Sequence, residues 1–452
     1  MSKKVIRLIT LVLAIAMVAT LAVGCGGNGD TPGGTSNSGG NSNAKVNGML
    51  AEVDPEDYRG TTVVLATRTD PYANEDGPVC DKFEEKYGIN FEYVLIDGPS
   101  YVSTIASRIS SGQQTDVYFE NGDFPGSLTV MQPLDNAKFD LSAPIWNQSL
   151  IKASTLEGHA YLVDAISNVW TELDVCVYNQ DVFDKLELPT PAEYYERGEW
   201  TFANFRYLAS EISKEKGYMG ASVLDESLCG AANASVFLYE DGKMKLGVDK
   251  HFKEVLTYMG KMREDGYIKL DRHEGFNQGK TGMAITNCFG LKRTGYFTKV
   301  KSSCLRATYL PVWEKGSPLV YTGIYRGWGL VDGSANPVAA GIFIRYYLDG
   351  SNYDMDKTFH NEHVRDFFFE LTRQYPDNVL YYRGPDMEKT TGMGESHFGY
   401  LFQYQPSNQI NSLLDEKIPV MNEMIDKAND IIEQERIQIK QYENDGKINK
   451  LS

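Results

Sequence analysis

Thr61-Thr62-Val63-Val64-Leu65-Ala66, Phe91-Glu92-Tyr93-Val94-Leu95-Ile96 and Asp116-Val117-Tyr118-Phe119 are three β-branched and aromatic runs that read as strands. Helical spacing lies between them. Cys80, Phe83 and Tyr87 share one face of a short helix stopped by Gly88, and Val102, Ile105, Ala106 and Ile109 share another. The alternation predicts an α/β fold, a parallel sheet covered by helices. Ligands of such sheets sit beyond the carboxyl ends of the strands, so the loops after Ala66 and Phe119 are the first places to look for a site.

Further along, Thr201 predicts a helix N-cap, with Phe202, Phe205, Leu208, Ala209 and Ile212 on one face. Asn336-Pro337 reads as an N-cap and first-turn proline ahead of Ala340, Phe343, Ile344, Tyr347 and Leu348. Met421, Met424, Ile425, Ala428, Ile431 and Ile432 make a last amphipathic stripe. The chain has 452 residues, too many for one core, so two compact units are expected.

The N-terminus sets the compartment. Lys3, Lys4 and Arg7 precede an apolar stretch, about Leu8 to Val23, that is short for a membrane span. It ends in Leu21-Ala22-Val23-Gly24-Cys25, which resembles a bacterial lipobox, and that resemblance implies that the Cys25 thiol carries diacylglycerol. Residues 26 to 43 are all Gly, Asn, Ser, Thr, Pro or Asp, which predicts a flexible tether reaching roughly 25 Å. The expected layout is a signal peptide over 1–24, lipidated Cys25 and linker over 25–57, and a folded body anchored at the membrane surface.

The net charge of −17 argues against a nucleic-acid partner, which needs a basic face to displace phosphate counterions. Loss of the signal's three cations takes the mature chain to −20. Six cysteines with no CxxC pair suggest neither a disulfide framework nor a zinc ribbon. No GxSxG, HExxH or strand-borne GxGxxG occurs. His360-Asn361-Glu362-His363 lacks the zinc spacing and reads as a turn or solvated face, and Asp354 with Asp356 lacks the rest of a calcium loop. Gly275-Phe276-Asn277-Gln278-Gly279-Lys280-Thr281 has three residues between its glycines where a phosphate loop has four; Met283-Ala284-Ile285-Thr286 after it reads as a strand. No metal or cofactor is expected.

Taken in order, several segments resemble family 1 of the extracellular solute-binding proteins of ABC importers, the group that includes the maltose-binding proteins. They are Phe83-Glu84-Glu85-Lys86-Tyr87-Gly88-Ile89, the strand Asp116–Phe119 running on to Leu134-Asp135, and Gly158-His159-Ala160-Tyr161-Leu162-Val163 with Val177-Tyr178-Asn179-Gln180-Asp181-Val182-Phe183. Gly198-Glu199-Trp200-Thr201-Phe202-Ala203-Asn204-Phe205 follows, then Gly279-Lys280-Thr281-Gly282-Met283-Ala284 and Gly327-Trp328-Gly329-Leu330. The resemblance implies a two-lobed periplasmic-binding-protein-like fold, with a hinge and an interlobe ligand cleft. Lobe 1 would take 58–167 plus 328–380, and lobe 2 would take 168–327 plus 381–445. The crossings would lie near Ser167–Trp170 and Tyr325–Trp328.

It also implies a carbohydrate ligand, delivery to ABC permease subunits, a monomer, and no catalysis. Sugar binding needs aromatic faces and planar polar groups. The resemblance points to Arg68, Asp70, Glu120, Asn121, Asp123, Asn168, Trp170, Asn287, Phe289, Arg326 and Trp328. Where the family often has Trp after the strand at Ile285, this chain has Cys288-Phe289-Gly290. Arg68, Lys292, Arg293 and Arg326 leave room for an anionic sugar such as a uronide. A non-sugar solute such as a peptide, a sensor or adhesin on the same fold, and a surface glycoside hydrolase with two opposed carboxylates stay open as alternatives.

Overall fold

Asp116 shows how a few buried contacts join distant parts of the chain. It is fully buried; one carboxylate oxygen accepts from the Val64 N–H (2.9 Å) and Gln114 (2.7 Å), and the other accepts from the Ser334 hydroxyl (2.7 Å). Asn336 stands at the helix N-cap as the sequence predicted, but its side chain makes no bond to the helix. Instead its amide donates to the Thr62 carbonyl at 3.1 Å, so the turn before Pro337–Tyr347 is sewn to the first strand. The proline at the first helical position is as the sequence predicted.

The computed structural model describes residues 46–73, 77–168, 173–223, 225–269, 273–352, 354–373, 379–383 and 406–448. Its first sheet has the order Asn90–Leu95, Thr62–Thr67, Val117–Asn121, Arg326–Val331, Met131–Gln132. Thr62–Thr67 is parallel to both of its neighbours, as the βαβαβ pattern requires. Arg326–Val331 enters antiparallel, with Trp328 opposite Phe119 and Arg326 opposite Asn121. The helices Gly77–Tyr87 and Pro337–Tyr347 pack together on this sheet around Phe83, Phe91 and Phe343.

The second sheet has the order Ile268–Lys269, Met219–Ser222, Thr281–Asn287, Asp174–Asn179, Leu305–Thr308. Thr281–Asn287 is the strand expected after the false phosphate loop. Phe202–Lys214 is capped by the Thr201 side chain, which accepts from the Asn204 N–H, and it buries the five residues predicted. Trp200 donates its indole N–H to the Tyr309 carbonyl at 2.8 Å and is structural. His360-Asn361-Glu362-His363 forms a helix start, where Asn361 accepts from the Val364 N–H at 3.1 Å. Burial pushes the His360 imidazole down to about 4, so it stays neutral there at ordinary pH. Cys80, Cys176, Cys229, Cys288 and Cys304 are all buried. Among the described residues no group of acids, histidines and cysteines could hold a metal ion, and no helix is long and apolar enough to cross a membrane.

The chain leaves the first sheet after Ile166–Asn168, is in the second by Asp174–Asn179, returns through Thr322–Ile324 and Tyr325, and after Pro337–Tyr347 packs on the second sheet again. We propose the lobe division expected from the resemblance with two amendments that packing requires. Residues 328–380 were assigned to the first lobe, but Phe359, Val364, Phe368 and Leu371 are buried with Val175, Val177 and Ala284 of the second sheet. Residues 381–445 were assigned to the second lobe. The end of the helix Ile410–Asn444 instead reaches Tyr161 and His159, beside the first sheet. The amphipathic stripe from Met421 to Ile432 was legible, but not where the helix end would reach, and the face of 362–373 was not read at all.

Replacing Asp116 with Ala leaves the buried Val64 N–H and the half-buried Ser334 hydroxyl without their acceptor. We expect a loss of about 3 kcal/mol in urea unfolding with an unchanged slope. A loss below about 1 kcal/mol would show that this carboxylate does not organise the first sheet.

Candidate functional site

The strand Val117–Asn121 ends beside Arg326, where the chain returns from the second sheet. Side chains alternate across a strand, so this end presents two different faces. On one face lie Tyr118 and Glu120, and on the other Phe119, Arg326 and Trp328.

Glu120 is fully buried, and its Oε1 accepts from the backbone N–H groups of Asp123 and of Phe124, the latter at 3.0 Å. These bonds close the turn 121–124, in which Gly122 takes the left-handed conformation at φ +86° and donates to the Tyr325 carbonyl (3.1 Å). Asp123 then meets the Arg68 guanidinium and accepts from the Tyr118 hydroxyl at 3.3 Å. Arg68 lies 3.8 Å over the Tyr101 ring, and its own carbon chain is largely covered. Burial, the largest single influence, would lower the Arg68 value, but the charge and hydrogen bond of Asp123 together with Tyr118 and Tyr101 outweigh it and hold it high. Glu120 is pushed up to about 7, first by burial and then by the charge of Asp123.

The turn also sets the ring of Phe124. It stacks on Tyr325 at 5.0 Å and 25°, and Tyr325 stacks on Tyr381 at 4.7 Å and 28°. Tyr239 meets the edge of Phe124 at 5.5 Å. On the opposite face, the Arg326 guanidinium lies 4.9 Å over Phe119. Phe119 contacts Trp328 at 4.8 Å, and Trp328 contacts Tyr347 at 4.8 Å. Trp328 is only 5% exposed, so its larger role here is to pack the crossing, while Phe119, Arg326 and Tyr347 stay partly open.

Of the remaining expected residues, Asn121 is exposed beside Arg326, and Asp70 accepts from the Tyr72 N–H at 2.8 Å in the loop after the first strand. Asn168 ends the turn Ile166–Asn168. Trp170 and Cys25 lie outside the described residues. Asn287 and Phe289 form a second group at the end of Thr281–Asn287. Asn287 accepts from the Phe289 N–H (3.2 Å), and Phe289 packs edge-on against Tyr296, which stacks on His273 at 4.9 Å. Sequence reasoning missed Phe119, Tyr296, Tyr239 and Tyr381 as site neighbours. The alternation of Val117–Asn121 could have placed Phe119 on one face, but its partners depend on which strand pairs with it.

The raised Glu120 value gives a pH dependence of known sign. Its folded value of about 7 exceeds the ordinary 4.5. The contribution to stability is therefore complete below about 4.5 and is lost as pH rises through about 7. Glu435, pushed up to about 7 by burial, acts in the same direction. We expect thermal midpoints to fall between pH ~5 and ~8, and Glu120→Gln to remove part of that slope. An unchanged slope in the variant would reject this assignment.

The family model for bacterial extracellular solute-binding proteins matches residues 66–349. A comparison with curated proteins finds no match. Among solved structures, the galacto-N-biose/lacto-N-biose I-binding protein of a Bifidobacterium longum ABC transporter, in complex with lacto-N-biose, is similar at TM-score 0.60 and 12% identity, over 82% of this chain and 98% of that one. A Staphylococcus aureus extracellular solute-binding protein in complex with maltose is similar at TM-score 0.57 and 16% identity, over 84% and 99%. A Thermotoga lettingae ABC transporter solute-binding protein bound with α-D-tagatose gives 0.56 and 16%, over 82% and 100%. At these identities the likeness is one of fold, a two-lobed α/β architecture. With the family model spanning both sheets and both crossings, this chain belongs to the bacterial extracellular solute-binding proteins.

Proposed function

We propose that this protein is the lipid-anchored capture subunit of an ABC importer, and that its solute is a neutral mono- or oligosaccharide held between the two lobes. The observation that carries this reading is the rim at the crossing. Phe119, Arg326 and Asn121 offer a partly open ring, a planar donor and a planar amide, while Arg68 and Asp123 neutralise each other below them. Flat rings suit the C–H faces of a pyranose, and planar polar groups suit its hydroxyls. Lacto-N-biose, maltose and tagatose in similar proteins support the same class. Asn287, Phe289 and Tyr296 would supply the second lobe's side, with Asp70 in the loop after the first strand; Asn168 and Trp170 enter this proposal from the sequence alone.

A uronide fits less well than the residue types suggested. Arg68 is engaged by Asp123, and Arg293 donates its Nε to the Phe359 carbonyl. In this reading the protein acts as a monomer without cofactor, releases its solute unchanged to permease subunits, and is held to the membrane through Cys25.

A thermal-shift screen over lacto-N-biose, maltose, tagatose, glucuronides and short peptides tests the class. Saturation at about 100 times the dissociation constant should add about 2.7 kcal/mol of stability. Among the hits, Arg326→Ala should weaken binding by about 2 kcal/mol, roughly thirtyfold. A shift from peptides or uronides alone would overturn the neutral-sugar assignment.

The anchor has its own test. Cys25→Ser should abolish labelling by a radioactive fatty acid and release the protein into the culture medium. Retention of the label in that variant would place the lipid elsewhere.

A further inference from the structure

The helix Ile410–Asn444 begins against one part of the body and ends against another. Near its start, Lys253 pairs with Asp415 at 2.6 Å, and Glu264 accepts from the Ser407 hydroxyl at 2.9 Å; both partners lie on Lys250–Glu264. In its middle, Asn429 both accepts from and donates to the Met244 backbone, at 2.8 and 3.1 Å. At its end, the Tyr161 hydroxyl donates to Glu435 and the Tyr442 hydroxyl to Asp332. The last turn carries no basic residue to meet the helix dipole, so its docking rests on such side-chain contacts.

His159 stands at the centre of that docking and is fully buried. Its Nδ1 lies 2.8 Å from an Asp135 oxygen, and its Nε2 lies 3.2 Å from a Glu443 oxygen. A neutral imidazole carries one N–H and can donate to only one of them. Both contacts are hydrogen bonds only when the trio holds one proton more than a neutral ring with two carboxylates. Without that proton, a ring lone pair faces a carboxylate oxygen. Asp135 is buried in the turn Leu134–Ala137 and cannot withdraw, whereas Glu443 is 30% exposed at the helix end and can.

We propose that Asp135, His159 and Glu443 form a proton-held clasp, which pins the last turn of the long helix when protonated and frees it when the proton is lost. The clasp is independent of the solute reading, because it depends only on this packing. Other charged groups face it from each neighbouring element. Lys138 lies on the Asp135 turn, Asp332 is beside Tyr442, and Glu157 pairs with Arg436 at 3.0 Å. Burial raises Asp135 above its usual range, which favours retention of the shared proton. Glu435 is the rival switch, since it lies on the same helix and its value is also raised. An extracytoplasmic chain would meet changes in external pH directly, and the clasp would turn them into a change in how firmly the helix end is held.

Hydrogen exchange of the full chain at amides 436–444, corrected for intrinsic rates, reads the clasp from pH ~5.5 to ~8.5. Wild-type protection should fall by about tenfold or more as pH rises, while amides of Lys250–Glu264 stay protected. Glu443→Gln should flatten the profile, because an amide can pair with either form of the ring. Glu435→Gln should keep the wild-type trend. Constant wild-type protection, a Glu443→Gln profile that follows wild type, or flattening by Glu435→Gln alone would each overturn the proposal. The ring 15N shifts of His159 give a second measurement on the unmutated protein. A change from imidazolium to neutral ring in step with the loss of protection supports the clasp, and one fixed form throughout rejects it.

Discussion

Two backbone segments far apart in sequence lie side by side at the crossing, and the rest of the architecture depends on that contact. Val163 donates to the Trp328 carbonyl at 2.9 Å, and Trp328 donates to the Val163 carbonyl at 2.8 Å. A second bridge joins Leu173 to Gly323. The outgoing and returning chains are thereby coupled. The approach is close enough to explain the glycines on both sides of Trp328. A Cβ on Gly327 would stand 3.1 Å from the Val163 carbonyl oxygen, and one on Gly329 would stand 2.8 Å from that of Tyr161. Side chains there would push the segments apart, and the register of Arg326–Val331 against Val117–Asn121 would go with them.

That register brings the candidate site into being. It sets Arg326 beside Asn121 and Trp328 beside Phe119, at the carboxyl end of a strand in the parallel part of the sheet. Buried acids then hold the adjoining turns. Glu120 gathers two N–H groups, and Asp123 absorbs the charge of Arg68. The pairing of Arg68 with Asp123 takes one cation away from an anionic solute, which is why the proposed solute is neutral. The acidity of the whole chain contributes solubility and repulsion from anionic surfaces, but not selectivity.

Much of this was legible in the sequence, and the failures have physical reasons. Helix faces such as Phe202–Ile212 could be read because burial imposes a period of 3.6 residues on the sequence itself. Asn336 stands at the N-cap as read, but a local motif cannot show that its side chain reaches the Thr62 carbonyl and leaves the helix uncapped by it. Arg68 looked free to meet an anion, since its partner stands 55 positions away. Trp328 looked like an open stacking face, yet strand pairing buries it between Phe119 and Tyr347. The aromatic neighbours Tyr239 and Tyr381 carry no sequence signal at all, because each depends on a small sheet or hairpin folding back onto the crossing.

The α/β class, the expected export and anchoring signals, and most stretches that become strands and helices could be read from the residues in order. These follow from local periodicity and composition, which act over a few residues. Folding in three dimensions was needed to reveal which arginine is neutralised, which aromatic rings stay open, which sheet the later helices cover, and that His159 sits between two carboxylates. Those outcomes depend on contacts between residues such as Asp135, His159 and Glu443, whose separation along the chain leaves no periodic trace for pattern reading to find.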